Sequence, residues 1–280
     1  MVQTMVLGIM VSKQCNFHCR HCMVDSTHEY SWVEESVLEK FYDMLEYGHP
    51  DEVYILGGEP FLHINEVEKM VHRIHRYCEE IVIFTNGSFL MNEKLSERVN
   101  ALHVTIRVSD DRFHREFWTD KFKEKLKTSG YWVVSKESSE DMIPVGRAYE
   151  EFKDLKYNMG CSLLTGRYDK EFYPNAERYM VMMDGSVNLY CATIEGSLAN
   201  VFEDERITYE LLVEREKIFH NYLMKEVIHC QEDTYMAKMC NLCSKYKITE
   251  EAIFLNGEKV AATKDYRFLE KELNRENSPS

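Results

Sequence analysis

Short runs of aliphatic and β-branched residues alternate with stretches of helical periodicity along the first 150 residues. Val6–Val11, Glu52–Leu56, Ile81–Thr85, His103–Val108 and Tyr131–Ser135 read as strands, with Ile143–Val145 as a last short one. Between them, Val33–Tyr47, Ile64–Cys78, Asn92–Ala101 and Phe113–Lys127 space their apolar residues as helices do. Strands and helices alternating at these lengths predict βαβ units on a parallel sheet, hence an α/β fold. Repeated in this way, the pattern predicts a full or partial (β/α) barrel, whose chemistry belongs on the loops after the strands' C-terminal ends.

Beyond about residue 155 the rhythm changes. Arg178–Met183 and Val187–Cys191, joined by Asp184-Gly185, predict a β-hairpin. A helix over Tyr209–Val227 follows, then a cysteine-bearing loop. The expected division is a barrel over 1–155, a smaller domain over 156–269 and a polar tail over 270–280.

Composition narrows the classes of function. The 280 residues are 44% hydrophobic and 29% charged, an ordinary globular balance. A net charge of −14 argues against a general nucleic-acid binder, which needs a basic face to displace counterions. No apolar run approaches the roughly 20 residues of a membrane span. Met1–Leu7 lacks the basic segment and cleavage site of a secretory signal, so a cytoplasmic protein with no membrane partner is expected. Nine cysteines are many for such a chain, and in a reducing compartment clustered ones point to metal or redox chemistry.

Three of them, Cys15, Cys19 and Cys22, fall on the loop after the first strand. Three soft ligands on one short loop suit an iron–sulfur cluster, leaving one iron of a four-iron cluster open to a substrate or cofactor. A structural zinc ion is the alternative, with His18 or His21 as a fourth ligand. Cys15-x3-Cys19-x2-Cys22, within Cys15-Asn-Phe-x-Cys19, resembles the signature of the radical S-adenosylmethionine (SAM) superfamily. Leu56-Gly57-Gly58-Glu59-Pro60 after the second strand resembles that family's Gly-Gly-Glu-Pro motif. Phe84-Thr-Asn86-Gly87, Ser109 within Val108-Ser-Asp-Asp111, and Pro144-Val-Gly-Arg147-Ala148 match later family elements.

The resemblance covers residues 5–150 and implies a partial (β/α)6 barrel of TIM type. It implies a [4Fe–4S] cluster on Cys15, Cys19 and Cys22 whose open iron chelates the amino and carboxyl groups of SAM. Reduction, by a flavodoxin- or ferredoxin-type partner, then cleaves SAM to methionine and a 5′-deoxyadenosyl radical. On the same grounds His21 would touch the adenine, and Gly57, Gly58, Glu59 and Pro60 would hold the methionine amino group. Glycines allow the close backbone approach, and a carboxylate suits an ammonium. Asn86 and Ser109 are carried over as SAM contacts, and Arg147 either meets the SAM carboxylate or braces the fold.

The later cysteines form a second group. An Asp-Gly hairpin leading to Cys191, then Leu198-Ala-Asn200, then Cys240-x2-Cys243 resembles the auxiliary-cluster domains called SPASM and twitch. Thr249 stands six positions after Cys243, where the larger SPASM form has a further cysteine, which favours the smaller twitch form. The resemblance implies a second [4Fe–4S] cluster on Cys161, Cys191, Cys240 and Cys243, able to pass electrons. Cys230 is an alternative ligand, a hydrogen-atom donor or a packing residue, and zinc remains an alternative for Cys240-x2-Cys243. Cys78, on an apolar helix face, reads as packing, as do Met180, Met182 and Met183.

The expected activity is oxidative radical chemistry on one of two substrate classes. A ribosomally made peptide is one, on the hairpin and Leu-x-Asn pattern; a start so near the first strand leaves no N-terminal peptide-recognition domain. A small sugar or aminocyclitol is the other, on the short chain and single auxiliary cluster. Resemblance to the twitch enzyme of molybdenum-cofactor synthesis is partial, because the Gly-Gly-Arg tail is missing. A non-catalytic iron–sulfur or zinc protein is the third reading.

Overall fold

In the computed structural model, which describes residues 4–136, 146–152, 176–189, 196–226 and 246–266, the expected strands pair in chain order. β1 (Thr4–Met10), β2 (Glu52–Leu56), β3 (Glu80–Thr85), β4 (Thr105–Asp111) and β5 (Trp132–Lys136) are parallel, each beside the next. The crossovers carry α1 (Glu35–Gly48), α2 (Ile64–Ile74) and α3 (Glu93–Asn100). The expected strand Ile143–Val145 lies outside the described residues.

Successive side chains of a strand face opposite sides of the sheet. Leu7, Ile9, Val53, Ile55, Ile81, Ile83, Ile106 and Val108 share one core with Phe41 and Leu45 of α1 and Val71 and Ile74 of α2. Cys78 belongs to that core and its thiol reaches the Glu80 carbonyl, which is a packing role. The opposite face carries Val6, Tyr54 and Val82, and beside them Met10, Met180 and Met182. The functional loops rise from the C-terminal ends of this sheet.

The segment expected as one helix over Phe113–Lys127 is two: α4 (Arg112–Arg115) and α5 (Asp120–Ser129). Capping explains the break. Asp111 accepts from the backbone N–H groups of Phe113 and His114, and the Thr119 hydroxyl accepts from that of Phe122. Further on, α6 (Arg147–Phe152) is a short helix.

The predicted hairpin forms from β6 (Ala176–Val181) and β7 (Ser186–Leu189), with Gly185 at φ +82° in its turn. It does more than was legible. β6 pairs in parallel with β1 on the side away from β2, and β8 (Ala199–Asn200) follows β7, giving the order β5-β4-β3-β2-β1-β6-β7-β8. The arrangement is an open, mostly parallel α/β sheet. After α7 (Tyr209–Glu226), β9 (Tyr246–Ile248), β10 (Ala252–Leu255) and β11 (Glu258–Ala262) form a small antiparallel sheet. Phe219 of α7 stacks on Tyr246 with ring centroids 4.0 Å apart. Among the described residues no helix is long and apolar enough to cross a membrane.

Candidate metal centre

The cysteine loop continues directly from β1, with the Val11 N–H still donating to Leu56 at 2.9 Å. It then folds back on itself. The Thr27 N–H donates to the Lys13 carbonyl (2.9 Å) and the Cys15 N–H to the Thr27 carbonyl (2.7 Å). The Ser12 hydroxyl donates to the Ser31 carbonyl (2.7 Å) and accepts from the Gln14 N–H (2.8 Å). Cys15 and Cys19 are buried and Cys22 is half-buried. Burial pushes the Cys15 thiol up to about 11, and burial with the neighbouring Cys15 and Cys22 sulfurs pushes Cys19 up as well. Two such buried thiols side by side ionise together only with cations between them.

Gly57 and Gly58 lie flat on this loop. The Gly58 N–H donates to the Ser12 carbonyl and the Glu59 N–H to the Gln14 carbonyl, both at 2.8 Å. A Cβ on Gly57 would stand 2.6 Å from the Ser12 oxygen, and one on Gly58 2.1 Å from the Gln14 oxygen. Only glycine fits either position. Pro60 opens the 3₁₀ turn Pro60–His63.

Glu59 is buried, and the chain itself supplies its hydrogen-bond donors. The Thr85 hydroxyl reaches both carboxylate oxygens at 2.8 and 2.9 Å, the Asn86 N–H donates at 2.8 Å and the Phe61 N–H at 3.1 Å. Burial pushes its carboxyl up to about 7 against the pull of these donors. Its side chain thus ties the loop after β2 to the loop after β3. Asn86, on that second loop, places its amide nitrogen 3.6 Å from the Cys15 sulfur and 2.9 Å from the Asn16 side-chain oxygen.

His21 lies parallel to the Phe113 ring, centroids 4.6 Å apart. Its Nε2 is 3.2 Å from Asp111, whose same oxygen is 2.7 Å from His114 Nδ1. Burial alone would push the Asp111 carboxyl up, but His114 and His21 hold it well below the usual carboxylate range. With Nε2 on the carboxylate, His21 Nδ1 remains buried without a hydrogen-bond partner among the described residues. Cys19, His21 and His114 bring potential ligand atoms within 4.8 Å of one another, a set that shares only Cys19 and His21 with the zinc alternative. His18 instead sits against the Arg147 guanidinium at 3.1 Å. Ser109 is half-buried on β4, two residues before Asp111 and on the same face.

Arg147 reaches across to the cysteine loop. It donates to the Cys19 carbonyl (3.1 Å), the Ser26 carbonyl (2.8 Å) and the Ser26 hydroxyl (3.3 Å), and pairs with Asp25 at 3.3 Å. Gly146, at φ +61°, abuts the same loop; a Cβ there would meet the Met23 carbonyl oxygen at 2.5 Å. These contacts tie Arg147 to the cysteine loop at four points.

Donors converge on two of the three sulfurs, a surrounding that suits metal-bound thiolates. Cys15 receives the Phe17 N–H at 3.4 Å beside the Asn86 amide, and Cys22 receives the Ser26 N–H at 3.3 Å. Ser26 carried no signal in the sequence. Asp111 carried one, as a helix-capping aspartate directly before Arg112–Arg115. Cys161, Cys191, Cys230, Cys240 and Cys243 lie outside the described residues.

Comparison with known proteins bears on this site. The family model for the Radical SAM superfamily matches residues 9–155. A GTP 3′,8-cyclase of Helicobacter pylori is 32% identical over 112 residues, 38% of this chain and 34% of that protein. The GTP 3′,8-cyclase of Aliarcobacter butzleri is 26% identical over 172 residues, 59% of this chain and 48% of that protein. The chain thus spans about a third to a half of the length of these curated relatives. Among solved structures, native anSMEcpe with bound AdoMet and Cp18Cys peptide matches at a TM-score of 0.52 and 16% identity, covering 86% of this chain and 91% of that one.

Proposed function

The chain belongs to the radical SAM superfamily, whose members use a [4Fe–4S] cluster and SAM, and we propose that it abstracts hydrogen from a ribosomally made peptide in a net oxidation. Cys15, Cys19 and Cys22 would hold the cluster. Bound there, cluster and SAM supply reductive cleavage to a 5′-deoxyadenosyl radical. The observation that carries this reading is the contact of Gly57-Gly58 with the cysteine loop, which makes one site of two motifs about 40 residues apart. The backbone of Gly57, Gly58 and Pro60, held in place by Glu59, would hold the SAM ammonium. His21 is fixed by Asp111 and Phe113 and would touch the adenine. Asn86 and Ser109 would be further SAM contacts, and Arg147 ties down the cysteine loop.

In this reading Cys161, Cys191, Cys240 and Cys243 bind a second cluster that takes up an electron, with Cys230 as the alternative to Cys161. A flavodoxin- or ferredoxin-type protein delivers electrons, and the enzyme works in the cytoplasm as an oxidoreductase. The fold shared with a peptide-bound structure supports the peptide class. Similarity to GTP 3′,8-cyclases supports a second reading, a small sugar-like or nucleotide substrate. Anaerobic reconstitution tests the core: about eight irons per chain are expected for two four-iron clusters, with 5′-deoxyadenosine formed from SAM and reductant. Bound zinc without SAM cleavage would overturn it. A peptide that becomes dehydrogenated or crosslinked, against a sugar or nucleotide that does, decides the substrate class.

A further inference from the structure

We infer that Ser26 and Asn86 are redox-positioning residues, donating side-chain hydrogen bonds to the Cys22 and Cys15 sulfurs and raising the cluster's reduction potential, with Arg147 orienting Ser26. The inference rests on Cys15, Cys19 and Cys22 holding the cluster. Its basis is an asymmetry in how the three sulfurs are surrounded.

Ser26 is buried with its Oγ 3.2 Å from Cys22 Sγ. Geometry alone lets either atom donate, but a Cys22 sulfur that holds the cluster is a thiolate without a proton, so the Ser26 hydroxyl is then the donor. Arg147 Nη2 donates into the Ser26 oxygen at 3.3 Å while its Nη1 holds the Ser26 carbonyl at 2.8 Å. The guanidinium thereby occupies one lone pair of the oxygen and orients the hydroxyl toward the sulfur. Asn86 is oriented in the same manner. Its Oδ1 accepts from the Ser88 N–H at 2.8 Å, which turns the NH₂ group toward Cys15 Sγ and Asn16. Glu59 anchors the Asn86 backbone at 2.8 Å. Cys19, by contrast, packs among Phe113, Ala148 and Phe17.

A cluster gains negative charge on reduction, and hydrogen bonds to its sulfurs stabilise that charge most in the reduced state. Removing a donor therefore lowers the potential and slows electron entry from a weak donor, while a strong reductant still loads the cluster. Neither residue lies in the cysteine motif.

The test is an EPR-monitored redox titration of the reconstituted full chain, following the signal that changes when SAM is added. S26A and N86L are each expected to shift the midpoint to a more negative potential, with the shifts adding in the double variant. S26T, which keeps the hydroxyl, should titrate like the native chain, and R147K should shift in the direction of S26A. Exchangeable-proton couplings to the reduced cluster in D₂O should weaken in S26A and persist in S26T. Native midpoints in cluster-loaded S26A and N86L would overturn the inference. So would loss of the cluster from both variants, since that would make the residues determinants of assembly. Failure of the native chain to bind any four-iron cluster would instead overturn the proposed function.

Discussion

The α-carbon of Gly58 faces the Gln14 carbonyl so closely that a Cβ would stand 2.1 Å from its oxygen. The obstacle is backbone, which cannot step aside. G58A is expected to cost about 1–3 kcal/mol from overpacking and to displace the cysteine loop, so that reconstituted iron falls with stability. Gly8 provides the contrast: a Cβ there meets the flexible end of Met180 at 2.8 Å. G8A should retain full iron. Equal iron loss in the two variants would mean that the Gly58 contact is not what seats the loop.

Glu59 makes a prediction in pH. Its folded-state pKa of about 7 lies above its ordinary value of 4.5 because of burial. A carboxyl raised in this way contributes stability fully below the unfolded value and loses it as pH rises through the folded one. The metal-free chain should therefore lose stability across that window. At 1.36 kcal/mol per pH unit, the loss from this group is about 3 kcal/mol. Urea midpoints taken from about pH 5 to pH 8 should fall for the native chain and stay flatter for E59Q. Parallel curves would show that Glu59 is not the titrating group.

Asp111 joins His21 and His114 through one carboxylate oxygen while the other caps α4. D111N preserves the cap but loses the charge that orients both imidazoles. Charge-assisted bonds of this kind are worth about 1.5–3 kcal/mol. We expect SAM affinity to fall about tenfold or more on that scale, with iron content unchanged, as measured by equilibrium binding to the reconstituted chain. Unaltered affinity would separate Asp111 from the SAM site.

Much of this architecture was legible because its signals are local. The cysteine spacing, Gly57-Gly58 and the Asp184-Gly185 turn each announce their structure within a few residues. Pairing over long sequence distances is another matter: nothing in Ala176–Val181 specifies that it will add to β1 as well as pair with its hairpin partner. The helix expected over Phe113–Lys127 failed because a periodic apolar pattern outweighed Thr119, whose hydroxyl starts a new helix. Ser26 was invisible for a different reason. A single serine acquires meaning only when Arg147, more than a hundred residues away, is brought against it.

That arginine yields the last prediction, because its two expected roles diverge on removal. In the structure Arg147 spends its donors on Cys19, Ser26 and His18 and lies beside Asp25. R147A leaves the buried Ser26 carbonyl without its donor, at roughly 1–3 kcal/mol, and the Cys19 carbonyl with the Cys22 N–H alone. The loss is concentrated in the cysteine loop, so hydrogen exchange over residues 19–27 should accelerate before any SAM is added. R147K, with a single ammonium, should recover part of the protection but not the two-pronged hold on Ser26. A guanidinium acting on the SAM carboxylate gives the opposite result: native exchange in the SAM-free chain, and weakened SAM binding alone. The bracing geometry requires that exchange change first, in protein that has never met SAM.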